Sequence, residues 1–163
     1  MAPLKAKYTK LAAITALVVI TDQVTKALVL HHFPLHHAVV VIDGLFNLIH
    51  VQNPGGAFGF LADQGVWVQR AVFIVASLAA LGLIGYLYHQ APATHALMAT
   101  GLGLVFAGAI GNLIDRVRFG HVIDFLDVYV GNWHWPAFNV ADSAITVGMA
   151  IFIYHLAFNK LPE

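Results

Sequence analysis

Of the 163 residues, 60% are hydrophobic and 10% charged, against about 45–50% and about 25% in soluble domains, so the chain reads as a single integral membrane unit. Eight basic residues against eight acidic give a formal net charge of zero, which leaves no basis for a nucleic-acid or other polyanionic partner. The absence of cysteine excludes disulfides, thiolate metal sites and a cysteine nucleophile.

A bilayer core about 30 Å thick takes roughly 20 apolar residues as a helix, and the first such stretch runs over about residues 11–30. Lys5, Lys7 and Lys10 precede it as they would in a cleaved signal peptide. It nevertheless continues through Asp22 and Lys26 to Leu30 without a clear small-x-small cleavage site, so a retained span is expected. Asp22 and Lys26, four residues apart, read as a pair that lowers its own cost of insertion. The HHFPLHH run that follows gathers His31, His32, His36 and His37. With no HExxH, no cysteine and no carboxylate at a zinc-like offset, these histidines are expected to be interfacial polar groups, and no metal is expected.

Val39 to Val51 comprises two β-rich runs joined by Asp43-Gly44, a two-residue hairpin signal. A lone hairpin is marginal in water, so this one should lie against the membrane face or the spans. Asn53-Pro-Gly-Gly-Ala-Phe reads as a turn, whose glycines, Gly55 first, would let backbone N–H groups approach a bound peptide. The second and third spans are expected over about residues 66–88 and 96–114, the third with Ala99, Gly103, Ala107 and Gly111 as a close-packing stripe. Residues 115–138 are expected to form a loop carrying Asp124 and Asp127, with Trp133 and Trp135 in an interfacial aromatic belt. A fourth span, about 140–158, opens with Asn139, Asp142, Ser143 and Thr146, whose offsets of three, four and seven place them on one side, facing into the bundle. Asp142 also has a modest explanation, as an acidic first-turn residue of a helix capped by Asn139.

Lys5, Lys7, Lys10 and Lys160 place both ends on the cytoplasmic side, which puts loops 31–65 and 115–138 outside. Arg70, Arg116 and Arg118 run against that rule. The unexpected polar residues, from Asp22 and Lys26 through Asn53, Asn112, Asp115 and Arg116 to Asp142, all fall toward the outer face. Charge at bilayer mid-depth costs about 2.5–3.5 kcal/mol and marks function. An ion path would spread such groups through the membrane, and a purely structural assembly protein would not need them gathered on one side. A Ser/Lys protease would need Lys26 free of Asp22. Carboxylate chemistry remains: two aspartates about 3 Å apart share one proton, one taking a proton from water and the other giving one to a peptide carbonyl. Asp142 and either Asp124 or Asp127 are the candidates, and the pattern of residues does not choose between the last two.

Four segments taken together, TDQVTK (Thr21 to Lys26), NPGGAFGF (Asn53 to Phe60), GAIGNLIDRVRFGHVIDF (Gly108 to Phe125) and FNVADSAITVG (Phe138 to Gly148), resemble the lipoprotein signal peptidase family, signal peptidase II. The resemblance implies an all-α membrane protein of four transmembrane helices with a small extracytoplasmic β-hairpin or cradle. It implies an aspartyl endopeptidase of the bacterial inner membrane that removes the signal peptide from diacylglyceryl-modified prolipoproteins near the periplasmic face. Asp124 and Asp142 match its catalytic pair. Asn53, Gly55, Asn112, Arg116 and Asn139 match substrate-binding positions, with Arg116 a donor to substrate carbonyls, and Asp22, Lys26, Asp115 and Ala141 match supporting ones. No cofactor is implied. The implied partners are the lipid-modified precursor, membrane lipid and globomycin-type inhibitors; nothing in the sequence demands more than a monomer.

Overall fold

The computed structural model describes residues 2–55, 65–92 and 94–158. In chain order it contains α1 (Ala2–His32), β1 (Ala38–Ile42), β2 (Phe46–Asn53), α2 (Val66–Gln90), α3 (Ala96–Phe119), β3 (Val122–Val130), β4 (Trp133–His134) and α4 (Val140–Phe158). Each of the four helices is long and apolar enough to cross a membrane. Lys160 and residues 56–60 of the glycine-rich motif lie outside the described residues.

α3 is the central helix. It packs against α1, α2 and α4 and buries residues along most of its length, whereas α2 fully buries only Tyr88 among its described residues and leaves many apolar side chains exposed, as suits a lipid-facing helix. The close α3–α4 approach depends on glycine. A Cβ on Gly101 would stand 2.8 Å from the carbonyl oxygen of Gly148, one on Gly148 would stand 2.6 Å from that of Gly101, and one on Gly108 would collide with the carbonyl of Ala141. Gly101 and Gly108 are seven apart, as are Ala141 and Gly148, so the antiparallel seam repeats every two turns. The stripe expected from the sequence packs toward α1, with Ala107 and Gly111 also meeting α4. Gly103 packs on Leu11 and Ile14, Ala107 on Val18, and Gly111 lies beside Asp22 and Ala141.

Two helix ends differ from expectation. α1 begins well before residue 11 and, at its N-terminal end, ties down α2: the buried Lys7 donates to the carbonyls of His89 (3.0 Å) and Ala91 (2.5 Å), satisfying acceptors that a helix C-terminus leaves open. α3 does not stop at Ile114 but runs to Phe119, so Asp115, Arg116 and Arg118 belong to its last turns and not to a loop. Gly120 then ends it in the left-handed conformation (φ 83°), its N–H returning to the carbonyl of Arg116 at 3.0 Å. Cationic side chains in that last turn complement the negative end of the helix dipole, which gives Arg116 and Arg118 a reason to be where they are.

A four-stranded antiparallel sheet, in the order β1-β2-β3-β4, covers the end of the bundle formed by the C-termini of α1 and α3 and the N-terminus of α4. Half of it comes from the segment expected to be a loop. Val122–Val130 is rich in β-branched and aromatic residues and pairs along β2, with Val51 opposite Asp124 and Asn47 opposite Asp127. Ile123 and Phe125 pack on Val29 and Phe33 and join the sheet to α1. The β1–β2 connection is three residues long, not two. Gly44 takes the left-handed conformation (φ 76°), Leu45 N–H bonds to Ile42 at 3.1 Å, and the register slips between Val40 and Ile42.

Candidate active site

Phe138 builds the site by bridging to β3. Its carbonyl accepts the N–H groups of Phe125 (3.0 Å) and Leu126 (2.8 Å), and its own N–H reaches the Leu126 carbonyl at 3.1 Å. The next residue, Asn139, therefore enters α4 directly beside Asp124. Asn139 is the N-cap: its Oδ1 accepts the backbone N–H of Asp142 at 2.9 Å, while Asp142 Oδ2 accepts the backbone N–H of Asn139 at 3.3 Å. This reciprocal arrangement is that of a capping box, with Asn and Asp in place of Ser/Thr and Glu. The first-turn reading of Asp142 is met by this geometry, which leaves its Oδ1 for a partner outside the cap.

The same Asn139 joins the two aspartates. Its Nδ2 donates to Asp124 Oδ1 at 2.7 Å, to the Ile123 carbonyl at 3.2 Å and to Asn112 Oδ1 at 3.2 Å. Asn112 Nδ2 in turn donates to Asp142 Oδ1 at 2.7 Å, and Asn53 Nδ2 donates to Asp124 Oδ2 at 3.0 Å. Three asparagines therefore hold two carboxylates within one network. Asn139 is fully buried and Asp124 is 2% exposed, whereas Asp142 is half-buried and borders a cavity.

Asp127 is elsewhere. It lies three residues beyond Asp124 on a strand whose side chains alternate, so it points to the other face, where it accepts from Asn47 Nδ2 (2.8 Å) and pairs with His134 Nδ1 (2.8 Å). The sheet thus brings Asp124, and not Asp127, to the network around Asp142.

Behind the asparagines lies a buried ionic group. Lys26 Nζ stands 2.8 Å from Asp22 Oδ2, 2.7 Å from Asp115 Oδ2 and 3.1 Å from Asn112 Oδ1. The pair expected at Asp22 and Lys26 is therefore a triad that includes Asp115. Gln23, which the sequence reading passed over, closes it from α1: its Nε2 donates to Asp115 Oδ1 at 2.9 Å and its Oε1 accepts from Arg118 at 3.3 Å. Its position between Asp22 and Lys26, in a helix otherwise meant for lipid, was the available signal.

Asn53 is oriented by its own turn. Gly55, at φ 92°, donates its N–H to Asn53 Oδ1 at 2.9 Å, which leaves Asn53 Nδ2 for Asp124. That N–H is thus used within the turn and is not free for a peptide, as the sequence reading had expected. Arg116 NH1 bonds the Asn112 carbonyl at 3.3 Å, its guanidinium lies 6.0 Å from the centroid of Phe73, and its buried Nε has no hydrogen-bond partner among the described residues.

A cavity of about 680 Å³ opens beside the network. Asn53, Asp142, Ser143 and Thr146 give it a polar flank, and Val128, Trp135, Pro136, Phe138 and Val147 an apolar one. Ser143 and Thr146 therefore follow Asp142 along the cavity side of α4, with Thr146 exposed, while the bundle seam is made by Ala141, Ala144 and Gly148. Ser143 Oγ is engaged with the Asn139 carbonyl at 2.9 Å. Burial pushes the Asp124 carboxyl up to about 6. The charge of Asp142 adds to the rise, and the bonds from Asn53 and Asn139 and the charge of Lys26 oppose it. A carboxyl raised this far stays partly protonated up to about pH 6, beside a second carboxylate.

The family model described as signal peptidase (SPase) II matches residues 14–158. The lipoprotein signal peptidase of Desulforapulum autotrophicum is 52% identical over 155 residues, covering 94% of this chain and 95% of the relative. That of Geobacter sulfurreducens is 50% identical over 132 residues, 81% of each. A solved structure described as a bacterial membrane enzyme superposes with a TM-score of 0.83 at 32% identity, covering 93% of this chain and 95% of that one.

Proposed function

Because the chain belongs to the signal peptidase II family, a family of proteases that remove signal peptides from prolipoproteins, we propose that Asp124 and Asp142 carry out this cleavage as an aspartyl pair. The observation that carries the proposal is the bridge through Asn139, whose side-chain amide holds Asp124 while its backbone N–H and Oδ1 hold Asp142.

In this reading the pair carries one proton, with the buried Asp124 as its donor and Asp142, on the cavity wall, as the base. Asp142 takes a proton from a water molecule as that water attacks the scissile carbonyl carbon. Asp124 gives its proton to the carbonyl oxygen. Collapse of the tetrahedral intermediate breaks the C–N bond: the proton held by Asp142 passes to the leaving nitrogen, and Asp124 takes back a proton from a gem-diol hydroxyl as the new carboxyl group forms, which restores the pair. Arg116, whose buried Nε is unpartnered among the described residues, supplies a hydrogen bond to a substrate carbonyl. Asn53 and Asn112 keep the carboxylates oriented, and the apolar cavity flank receives substrate side chains.

The membrane setting follows from the same reading. The loops 31–65 and 115–138 face the periplasm, both termini face the cytoplasm, and the signal helix of a diacylglyceryl-modified precursor reaches the pair from the bilayer. The chain acts as a monomer and is inhibited by globomycin-type cyclic peptides.

A Ser/Lys mechanism is the other hydrolytic reading that the sequence raises. It is disfavoured because Lys26 is bound to two carboxylates and Ser143 to a carbonyl. The test compares purified wild type and Ser143→Ala on diacylglyceryl-modified and unmodified precursor. Ser143→Ala is expected to keep cleavage within about tenfold, since removing a group in direct acid–base or nucleophilic use costs about 10²–10⁴-fold. Both enzymes should prefer the modified precursor. Loss of activity in Ser143→Ala would support the alternative, and equal rates on the two precursors would remove the lipid requirement.

A further inference from the structure

We propose that Lys26 is a positioning residue which, through Asp22 and Asp115, holds the backbone amides immediately preceding Asp142 and Asp124 and so fixes the spacing of the pair from behind. The inference rests on the aspartyl reading above and deepens it.

Two chains of contacts leave one ammonium. In the first, Asp22 takes Lys26 on Oδ2 at 2.8 Å and the backbone N–H of Ala141 on Oδ1 at 2.9 Å; the next residue is Asp142. In the second, Asp115 Oδ2 takes Lys26 at 2.7 Å and the backbone N–H of Ile123 at 3.2 Å; the next residue is Asp124. A third contact runs from Lys26 to Asn112 Oδ1 at 3.1 Å, and Asn112 Nδ2 donates to Asp142. An ammonium has three protons, and these three acceptors take them all, so Lys26 has none left for substrate.

A pair that only eased insertion would need one carboxylate. A second buried carboxylate adds a burial cost that a single partner for Lys26 would avoid. What Asp115 adds is its hold on Ile123. Likewise, Ala141 N–H is one of the donors that the start of a helix leaves open, and here a carboxylate from another helix closes it. Gly111 makes the reach possible: a Cβ there would stand 2.8 Å from Asp22 Oδ2 and 3.1 Å from Ala141 Cβ. Ala141 and Ile123 are both fully buried, so the tethers move little with solvent.

The test measures kcat and KM for lipid-modified precursor in Lys26→Met and Gly111→Ala, below the melting temperature of each variant. Rates are taken per folded molecule, counted by near-UV circular dichroism and gel filtration. A misplacement of about 1 Å costs about 100-fold in rate, so Lys26→Met is expected to lose about that factor in kcat with KM nearly unchanged. Gly111→Ala keeps every charge while displacing Asp22, and is expected to lose about tenfold in kcat by the same geometric argument. It carries the test if Lys26→Met does not fold. A lower melting temperature with wild-type kcat per folded molecule would overturn the inference, as would a loss seen only in KM. Turnover by Asp124→Asn or Asp142→Asn would instead sink the aspartyl reading itself. If both of those are inactive while Gly111→Ala and Lys26→Met match wild type, only the positioning role fails.

Discussion

Asp124 pays for its burial in pH dependence. Its carboxyl is raised from 3.8 to about 6, so the folded state binds a proton that the unfolded chain has already released between those values. The stabilisation is present below about pH 4 and is lost as pH rises through about 6. At 1.36 kcal/mol per unit, the effect is about 2–3 kcal/mol. Thermal melts of wild type and Asp124→Asn at pH 4 and pH 7.5 are expected to show the variant gaining that much relative to wild type at the higher pH; a constant difference would contradict the shift. The activity limb for loss of the pair's proton should lie near 6 in kcat/KM and belong to the pair jointly. Asn139→Ala removes both the cap and the bridge, so it is expected to cost about 1–2 kcal/mol in stability and most of the cleavage rate. Asn139 and Asp142 were legible in the sequence because capping is local. Choosing Asp124 over Asp127 from the residues alone was not possible, because an offset of three separates them only once the segment is known to be a strand.

The helices were legible as elements because length and apolar content decide them, and their ends were not. Asp115, Arg116 and Arg118 look like loop residues, yet Gly120 sets the stop and the dipole favours cations before it. β3 was missed for a related reason. Its apolar, β-branched run is interrupted by Asp124 and Asp127, which depress strand propensity and are paid back only by partners from β2, β4 and α4. The small-residue stripe was visible, but which helix it faced depended on a rotation that the sequence does not encode. Gly148→Leu in α4 is expected to destabilise the bundle by about 2 kcal/mol or more through overpacking against Gly101 and Val105, with a matching fall in melting temperature in detergent. An unchanged melting temperature would mean that the seam is looser than described.

At the scale of the molecule, the asparagine–aspartate network and the Lys26 ionic group meet where the sheet covers the bundle, and that end is predicted to face the periplasm. The absence of cysteine makes the orientation easy to test. Val41→Cys on β1 is expected to react with an impermeant maleimide in intact spheroplasts, and Thr94→Cys, between α2 and α3, only after permeabilisation; the reverse pattern would invert the topology. The most direct measurement of the central claim is single-turnover cleavage of diacylglyceryl-modified precursor by purified, folded Asp124→Asn, Asp142→Asn and Asp127→Asn. The first two are expected to be slower by about 10³-fold or more and the third to match wild type. Cleavage at near wild-type rate by either of the first two would contradict the account.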